Sequence, residues 1–258
     1  MATHGVEFAD VSFTVGGRPV LRDISLRLEP GTTTALLGRS GSGKTTLLRM
    51  VNALVRPTSG RVLVDGRDVA GRDVAAKDVI ALRRGIGYVI QETGLFPHLT
   101  VGANVELPLL VSGRFAGHSD EVAREVEQAL NSVGLSYAEY RDRYPWQLSG
   151  GQRQRAGVAR ALVSNPSVLL MDEPFGALDP LTRAEMQTML RELLRKTRVT
   201  TLIVTHDLDE AIFLANRAVL MDQGSIAANL ASAEVLSSPE PIVRAYIAAA
   251  QRGKELAQ

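Results

Sequence analysis

The sequence predicts an α/β fold: a phosphate-loop core with a mixed sheet, an antiparallel β subdomain ahead of it and an inserted α-helical subdomain. Three observations carry this prediction. A glycine-rich run beginning at Gly38 separates a short apolar stretch, Thr32 to Leu37, from a helical one, Lys44 to Leu54. Two further continuous apolar stretches, Val168 to Met171 and Thr201 to Thr205, have the composition of strands buried on both faces of a parallel sheet. Between these landmarks, from about 92 to 165, there is no convincing strand pattern and helical spacing prevails.

The elements follow in order. Alternation over Val6 to Val15 predicts a half-buried strand, Gly16-Gly17 a turn, and Val20 to Leu28 a second strand, giving the antiparallel region. Arg61 to Val64, followed by Asp65-Gly66, reads as a strand and turn. Ile86 to Ile90 is a buried strand leading to Gln91. Ser119 is placed to cap a helix whose apolar residues Val122, Val126, Ala129, Leu130 and Val133 recur at helical spacing, with Gly134 as its stop. Met186, Met189, Leu190 and Leu193 mark one face of a helix between the last two strands. From about 229 the chain reads as a short tail broken at Ser237-Ser238-Pro239-Glu240-Pro241.

Composition narrows the classes of function. A chain of 258 residues with 45% hydrophobic content can bury a large core as one domain with a subdomain. The net charge of +1 gives no bulk attraction for nucleic acid or for an anionic membrane surface, and no nucleic-acid partner is expected. The absence of cysteine excludes disulfides, zinc-thiolate sites and thiol catalysis. The first residues, Met1 to Glu7, lack the basic region and apolar core of a signal peptide. No run approaches the roughly 18 to 20 apolar residues that span a bilayer, so a membrane role is expected to come through a partner chain.

The residues that carry chemistry cluster at element ends. Gly38-Arg39-Ser40-Gly41-Ser42-Gly43-Lys44-Thr45-Thr46 fits the P-loop pattern G-x-x-x-x-G-K-[ST], between a strand and a helix as its mechanics require. There the backbone wraps phosphates, Lys44 bridges the β- and γ-phosphates, and the Thr45 hydroxyl reaches Mg²⁺. Lysine is otherwise confined to Lys77, Lys196 and Lys254. The strand Leu169-Leu170-Met171 ends in Asp172 and Glu173: the first suits Mg²⁺, and the second is placed to polarise an attacking water. Taken alone, the two carboxylates also read as solvated charges opening a turn before Pro174. His206 follows another strand end and Gln91 a third; ligands of open α/β sheets gather at such edges. Leu148-Ser149-Gly150-Gly151-Gln152 precedes a run of helix formers, so Ser149 and two glycine amides stand at a helix N-terminus, whose free N–H groups suit an anion such as a γ-phosphate.

This order of motifs, with Ala177-Leu178-Asp179 between Glu173 and His206, resembles the ATP-binding subunit of an ABC transporter over residues from about 6 to 228. The resemblance implies ATP hydrolysis with Mg²⁺ held near Thr45, Gln91 and Asp172, Glu173 as general base, and His206 on the γ-phosphate. It implies a head-to-tail pair of copies in which ATP on one chain's Lys44 loop is closed by Ser149, Gly150, Gly151 and Gln152 of the other, with Asp179 crossing the interface. It further implies that the segment from Gln91 and Glu92 to Thr100 lines a groove for transmembrane permease subunits, which hold the protein at the cytoplasmic face of the membrane. The last residues, 229–258, are expected to be a short extension without a regulatory domain.

The stretches Met50 to Gly60, Gly87 to His98 and Tyr140 to Pro145 are similar to those of glycine betaine, carnitine or choline importers, which implies a quaternary ammonium solute captured by a separate binding protein. The motor of an exporter or of a lipid-trafficking complex shares these motifs. A soluble ABC ATPase usually carries a second ATPase domain or a coiled-coil insertion, neither of which appears here. The aromatic residue that stacks on adenine in many relatives falls at Val15; Phe13, two positions earlier, is expected to be a core aromatic.

Overall fold

The computed structural model describes residues 5–69, 71, 74–91, 93–112 and 119–255. In chain order its elements are β1 (Val6–Val15), β2 (Arg18–Leu28), β3 (Thr33–Gly38), α1 (Lys44–Val51), β4 (Ser59–Val64), β5 (Arg67–Asp68), α2 (Ala76–Arg84), β6 (Ile86–Val89), α3 (Val101–Ser112), α4 (Ser119–Ser132) and α5 (Tyr137–Tyr140). After these come α6 (Gly150–Leu162), β7 (Val168–Asp172), α7 (Pro180–Thr197), β8 (Thr200–Val204), α8 (Leu208–Leu214), β9 (Arg217–Asp222), β10 (Ser225–Ala231) and α9 (Pro241–Glu255). They divide into two compact units, 1–79 with 200–258, and 80–199.

The first unit holds two sheets. β2, β1, β4 and β5 form the expected antiparallel sheet, in which Val6 pairs with Leu28 on one side and Val64 on the other. Val6, Phe8 and Val11 are buried on its inner face. A register slip follows: Phe13 pairs with Leu21, but Thr14 pairs with Pro19. This bulge breaks the alternation, and Phe13 is half-exposed rather than in the core. The second sheet is mixed: β9 runs parallel to β3 and antiparallel to β10, and β3 runs parallel to β8. Every residue of β3 and of β8 is buried, as continuous apolar strands in a covered sheet require.

The tail is more structured than its sequence reads. β10 crosses residue 228, because its backbone continues the pairing that begins at Asp222 and Ser225, and α9 contacts β10. Helix α1 stops at Val51, short of Leu54. Asn52 accepts the Leu54 N–H at 3.2 Å and Ala53 takes a left-handed φ of 53°, which closes the helix.

In the second unit β6 and β7 run parallel, and helices α3 to α6 occupy the strandless stretch. Val122, Val126 and Leu130 bury one face of α4. Ser119, expected as its cap, is its first residue; 113–118 lie outside the described residues. No described helix is long and apolar enough to cross a membrane.

Phe8→Ala should lower the unfolding free energy by about 3 to 5 kcal/mol, because it empties a fully buried ring site between two paired strands. Urea denaturation followed by circular dichroism checks this; a loss under about 1 kcal/mol would show that the antiparallel sheet repacks freely.

Candidate nucleotide site

Parallel register sets the depth of the strand-end residues in each unit. In the first, Leu36 of β3 pairs with Val204 of β8, so Gly38 and His206, each two residues on, leave the sheet at the same level. In the second, Val89 of β6 pairs with Met171 of β7, so Gln91 and Glu173 do likewise. The expected residues thus form two groups: Gly38 to Thr46 with His206, and Gln91, Ser149 to Gln152, Asp172, Glu173 and Asp179.

Gly38 ends β3 at φ 145°, and a Cβ there would stand 2.3 Å from the Met221 carbonyl oxygen. Only glycine fits, so the loop can begin against β9 without displacing it. Lys44 is buried, and its ammonium donates to the carbonyls of Gly38 at 2.8 Å and Arg39 at 2.9 Å. The lysine therefore curls the loop around its own head group, while Arg39, Ser40 and Gly41 remain exposed. The Ser42 hydroxyl is buried without a hydrogen-bond partner inside this loop. A phosphate seated in the loop satisfies such an orphan, and Thr45 and Thr46 stand half-buried at the start of α1. His206 is exposed at the head of the turn into α8.

In the second unit Asp172 is buried at the end of β7, and Glu173 turns away with a left-handed φ of 45°. A non-glycine residue there is strained, a cost that recurs where a side chain is aimed for function. Among the described residues no cluster of three acidic or histidine side chains could hold a metal. Asp172 offers a single buried carboxylate, the kind of oxygen donor a hard cation such as Mg²⁺ takes when phosphate and water fill the rest of its shell.

Ser149 caps α6 through a capping box: its hydroxyl accepts the Gln152 N–H at 3.2 Å, and the Gln152 side chain accepts the Ser149 N–H at 2.9 Å. Gln152 also donates to the Tyr140 hydroxyl at 3.1 Å, so its amide is engaged within its own chain. Asp179 caps α7 by accepting the Thr182 N–H at 3.1 Å. Hydrogen bonds to Thr182, its side chain first, hold the Asp179 carboxyl below the usual carboxylate range, and the group is ionised at neutral pH. A Cβ on Gly151 would stand 2.4 Å from the Thr182 methyl, so the bare glycine lets the two helix ends lie side by side. Ser149, Gly150 and Asp179 are all exposed.

Two residues of this region gave no signal in sequence. Asn104, fully buried in α3, accepts the Phe96 N–H at 2.7 Å and donates to the carbonyls of Phe96, Leu99 and Thr100, stitching the segment that follows Gln91. Arg160 of α6 donates to the carbonyls of Gly94 at 2.6 Å and Thr93 at 3.0 Å. Both of those residues have left-handed φ, near 61° and 62°. The guanidinium clamps a strained turn, and burial pulls its pKa below the ordinary arginine value. Arg160 also forms a wall of a groove of about 330 Å³, with Ile80, Arg84, Tyr88, Pro108 and Val111. No described residue of Gln91 to Thr100 lines that groove; the segment is tied to its wall through Arg160, and Glu92 lies outside the described residues.

A phosphate loop after one buried strand and a second, exposed helix end opened by Ser149 define a nucleotide-binding cassette. The chain belongs to the ABC transporter family, whose model matches residues 21–176. It is 43% identical over 225 residues to the glycine betaine/carnitine/choline transport ATP-binding protein OpuCA of Bacillus subtilis, covering 87% of this chain and 57% of that protein. It is 41% identical over 253 residues to the glycine betaine uptake system ATP-binding protein YehX of Escherichia coli, covering 97% and 79%. The chain thus spans little more than half the length of several of these curated relatives. Among solved structures it is similar to cbiO1 from Clostridium perfringens, part of an ABC transporter complex, with a TM-score of 0.82 at 28% identity over 99% of this chain and all of that one. It is also similar to the ATP-binding cassette MJ0796, a dimer bound to ADP and Pi in a post-hydrolysis state, with a TM-score of 0.78 at 32% identity over 88% and 98%.

Arg160→Met should release the 93–94 turn, costing about 1 to 3 kcal/mol from carbonyls left unpaired. Hydrogen exchange checks it: amides around 93–95 should lose protection while those of α4 keep theirs. Unchanged protection would mean that the turn is held by other bonds.

Proposed function

We propose that the chain binds and hydrolyses ATP with Mg²⁺ as the motor subunit of an ABC importer, working as a head-to-tail pair of copies on the cytoplasmic face of the membrane. The observation that carries the reading is the presence in one chain of two phosphate-suited helix ends: the Lys44 loop, with its orphan Ser42 hydroxyl, and the exposed Ser149 end beside Asp179. A chain that exposes the second end has it available for a nucleotide on another copy. The dimeric state of MJ0796 supports this arrangement.

In this reading Lys44 and the loop backbone hold the phosphates, with Arg39, Ser40, Gly41, Ser42 and Gly43 forming the cradle and Thr46 the first turn beneath it. Thr45, Asp172 and Gln91 hold Mg²⁺, which when bound offsets charge on the phosphate oxygens. Glu173 accepts a proton from the attacking water, and His206 contacts the γ-phosphate. Ser149, Gly150, Gly151 and Gln152 close the nucleotide of the partner copy. Depth in register supports the roles of His206 and Glu173, since each leaves its strand level with a partner residue, Gly38 and Gln91 respectively.

The groove walled by Ile80, Tyr88, Val111 and Arg160 suits an amphipathic helix of permease subunits, because its lining is mostly apolar with arginines at hand. Occupancy there reaches the Gln91 segment through Arg160. The solute is a quaternary ammonium osmoprotectant delivered by a separate binding protein, a reading supported by relatives named for glycine betaine, carnitine and choline transport. An exporter or lipid-trafficking motor is not favoured by these relatives.

Glu173→Gln should keep ATP affinity while slowing hydrolysis by at least about 10², and the variant should accumulate as an ATP-bound dimer. Steady-state ATPase assays and size-exclusion chromatography with ATP check both parts. Turnover near that of the unmodified protein would place the general base elsewhere.

A further inference from the structure

Helix α9 reaches back to the nucleotide loop of its own unit. Val243, Tyr246 and Ile247, spaced three and four residues apart, form one face of the helix. They line one apolar seam with Leu37, the residue before Gly38, and Leu208, two residues after His206. At its centre the Tyr246 hydroxyl donates to the His206 carbonyl at 3.0 Å. Burial pushes the phenol up from its ordinary pKa, and the charge of Asp207 adds to the rise. The hydroxyl therefore holds the backbone at His206, and it stays protonated, hence a donor, through the neutral range.

The neighbours of His206 are fixed by a bond to β3, where the Thr205 N–H donates to the Leu36 carbonyl at 3.2 Å, and by bonds within their own turn. Thr205 donates to Glu210 at 2.5 Å and accepts the Asp207 N–H at 3.0 Å, and Asp207 caps α8 through the N–H groups of Asp209 and Glu210. The His206 carbonyl instead takes its bond from a residue 40 positions away.

We infer that Tyr246 is a positioning residue for His206: its hydroxyl ties the His206 carbonyl to α9, so that the C-terminal helix steadies the backbone from which the imidazole projects. The inference rests on the proposed role of His206 at the γ-phosphate. Tyr246→Phe removes the tie and leaves the ring that fills the seam.

The test uses the purified full chain, with Tyr246→Phe, His206→Ala and the double variant compared for ATP turnover, KM for ATP and thermal unfolding. Tyr246→Phe should lower kcat about fivefold to tenfold, the size expected for one lost hydrogen bond that orients a reacting group, with KM within about twofold and the melting temperature nearly unchanged. The double variant should be no slower than His206→Ala alone, because both changes act through one group. If His206→Ala slows turnover while Tyr246→Phe leaves kcat unchanged, or lowers it only together with the melting temperature, Tyr246 does not position the histidine and the proposed function stands. If His206→Ala itself leaves turnover unchanged, the role of His206 is wrong and this inference falls with it.

Discussion

Parallel strand pairing fixes the level at which each loop leaves the sheet, and the chemistry proposed for this chain depends on that level. Leu36 opposite Val204 puts Gly38 and His206 at one depth; Val89 opposite Met171 does the same for Gln91 and Glu173. Hydrogen bonds along a buried parallel ladder cannot slip by one residue without turning every side chain to the wrong face. Strands buried throughout, such as β3, β7 and β8, are therefore the rulers against which short loops are measured. The loops themselves hold the strain. Gly38 accepts a geometry closed to any side chain, and Glu173 pays about 1 to 3 kcal/mol for its left-handed backbone.

Several charged or polar groups act by holding backbone. Lys44 grips two carbonyls of its own loop, Arg160 clamps the 93–94 turn, Asn104 stitches 96–100, and Tyr246 holds His206. Each satisfies carbonyls that a tight turn leaves without ladder partners, which is why buried donors recur beside the irregular segments. The groove wall and the turn after β6 share one side chain in Arg160, so the shape of the groove and the conformation of the 93–94 turn are physically linked.

The phosphate loop was legible in sequence because its chemistry demands particular residues at fixed spacing, and no ordinary turn needs a lysine after glycine at that point. Strands β1, β3, β7 and β8 were legible from alternation or continuous apolar character, and the end of α6 from Ser149 with two glycines. What escaped was set by partners far along the chain. Arg160 meets Thr93 and Gly94 some 66 residues away, and an arginine inside a helix carries no mark of that bond. Phe13 was expected in the core, but a register slip beside it, invisible in alternation, leaves it half-exposed. The sequence past 229 reads as a short tail because β10 is an edge strand and the alanine-rich α9 has its apolar face defined only by the seam it lines.

The claim at the centre is that two copies share each nucleotide, one giving the Lys44 loop and the other the Ser149 helix end. Mixing chains that carry Lys44→Ala with chains that carry Ser149→Arg tests it directly. A mixed pair holds one site with both defects and one site that is intact, so ATPase activity in the mixture should rise well above that of either variant alone. A mixture no more active than its separate components, under conditions where the two variants are shown to pair, would contradict the sharing and place Ser149 in the pocket of its own chain.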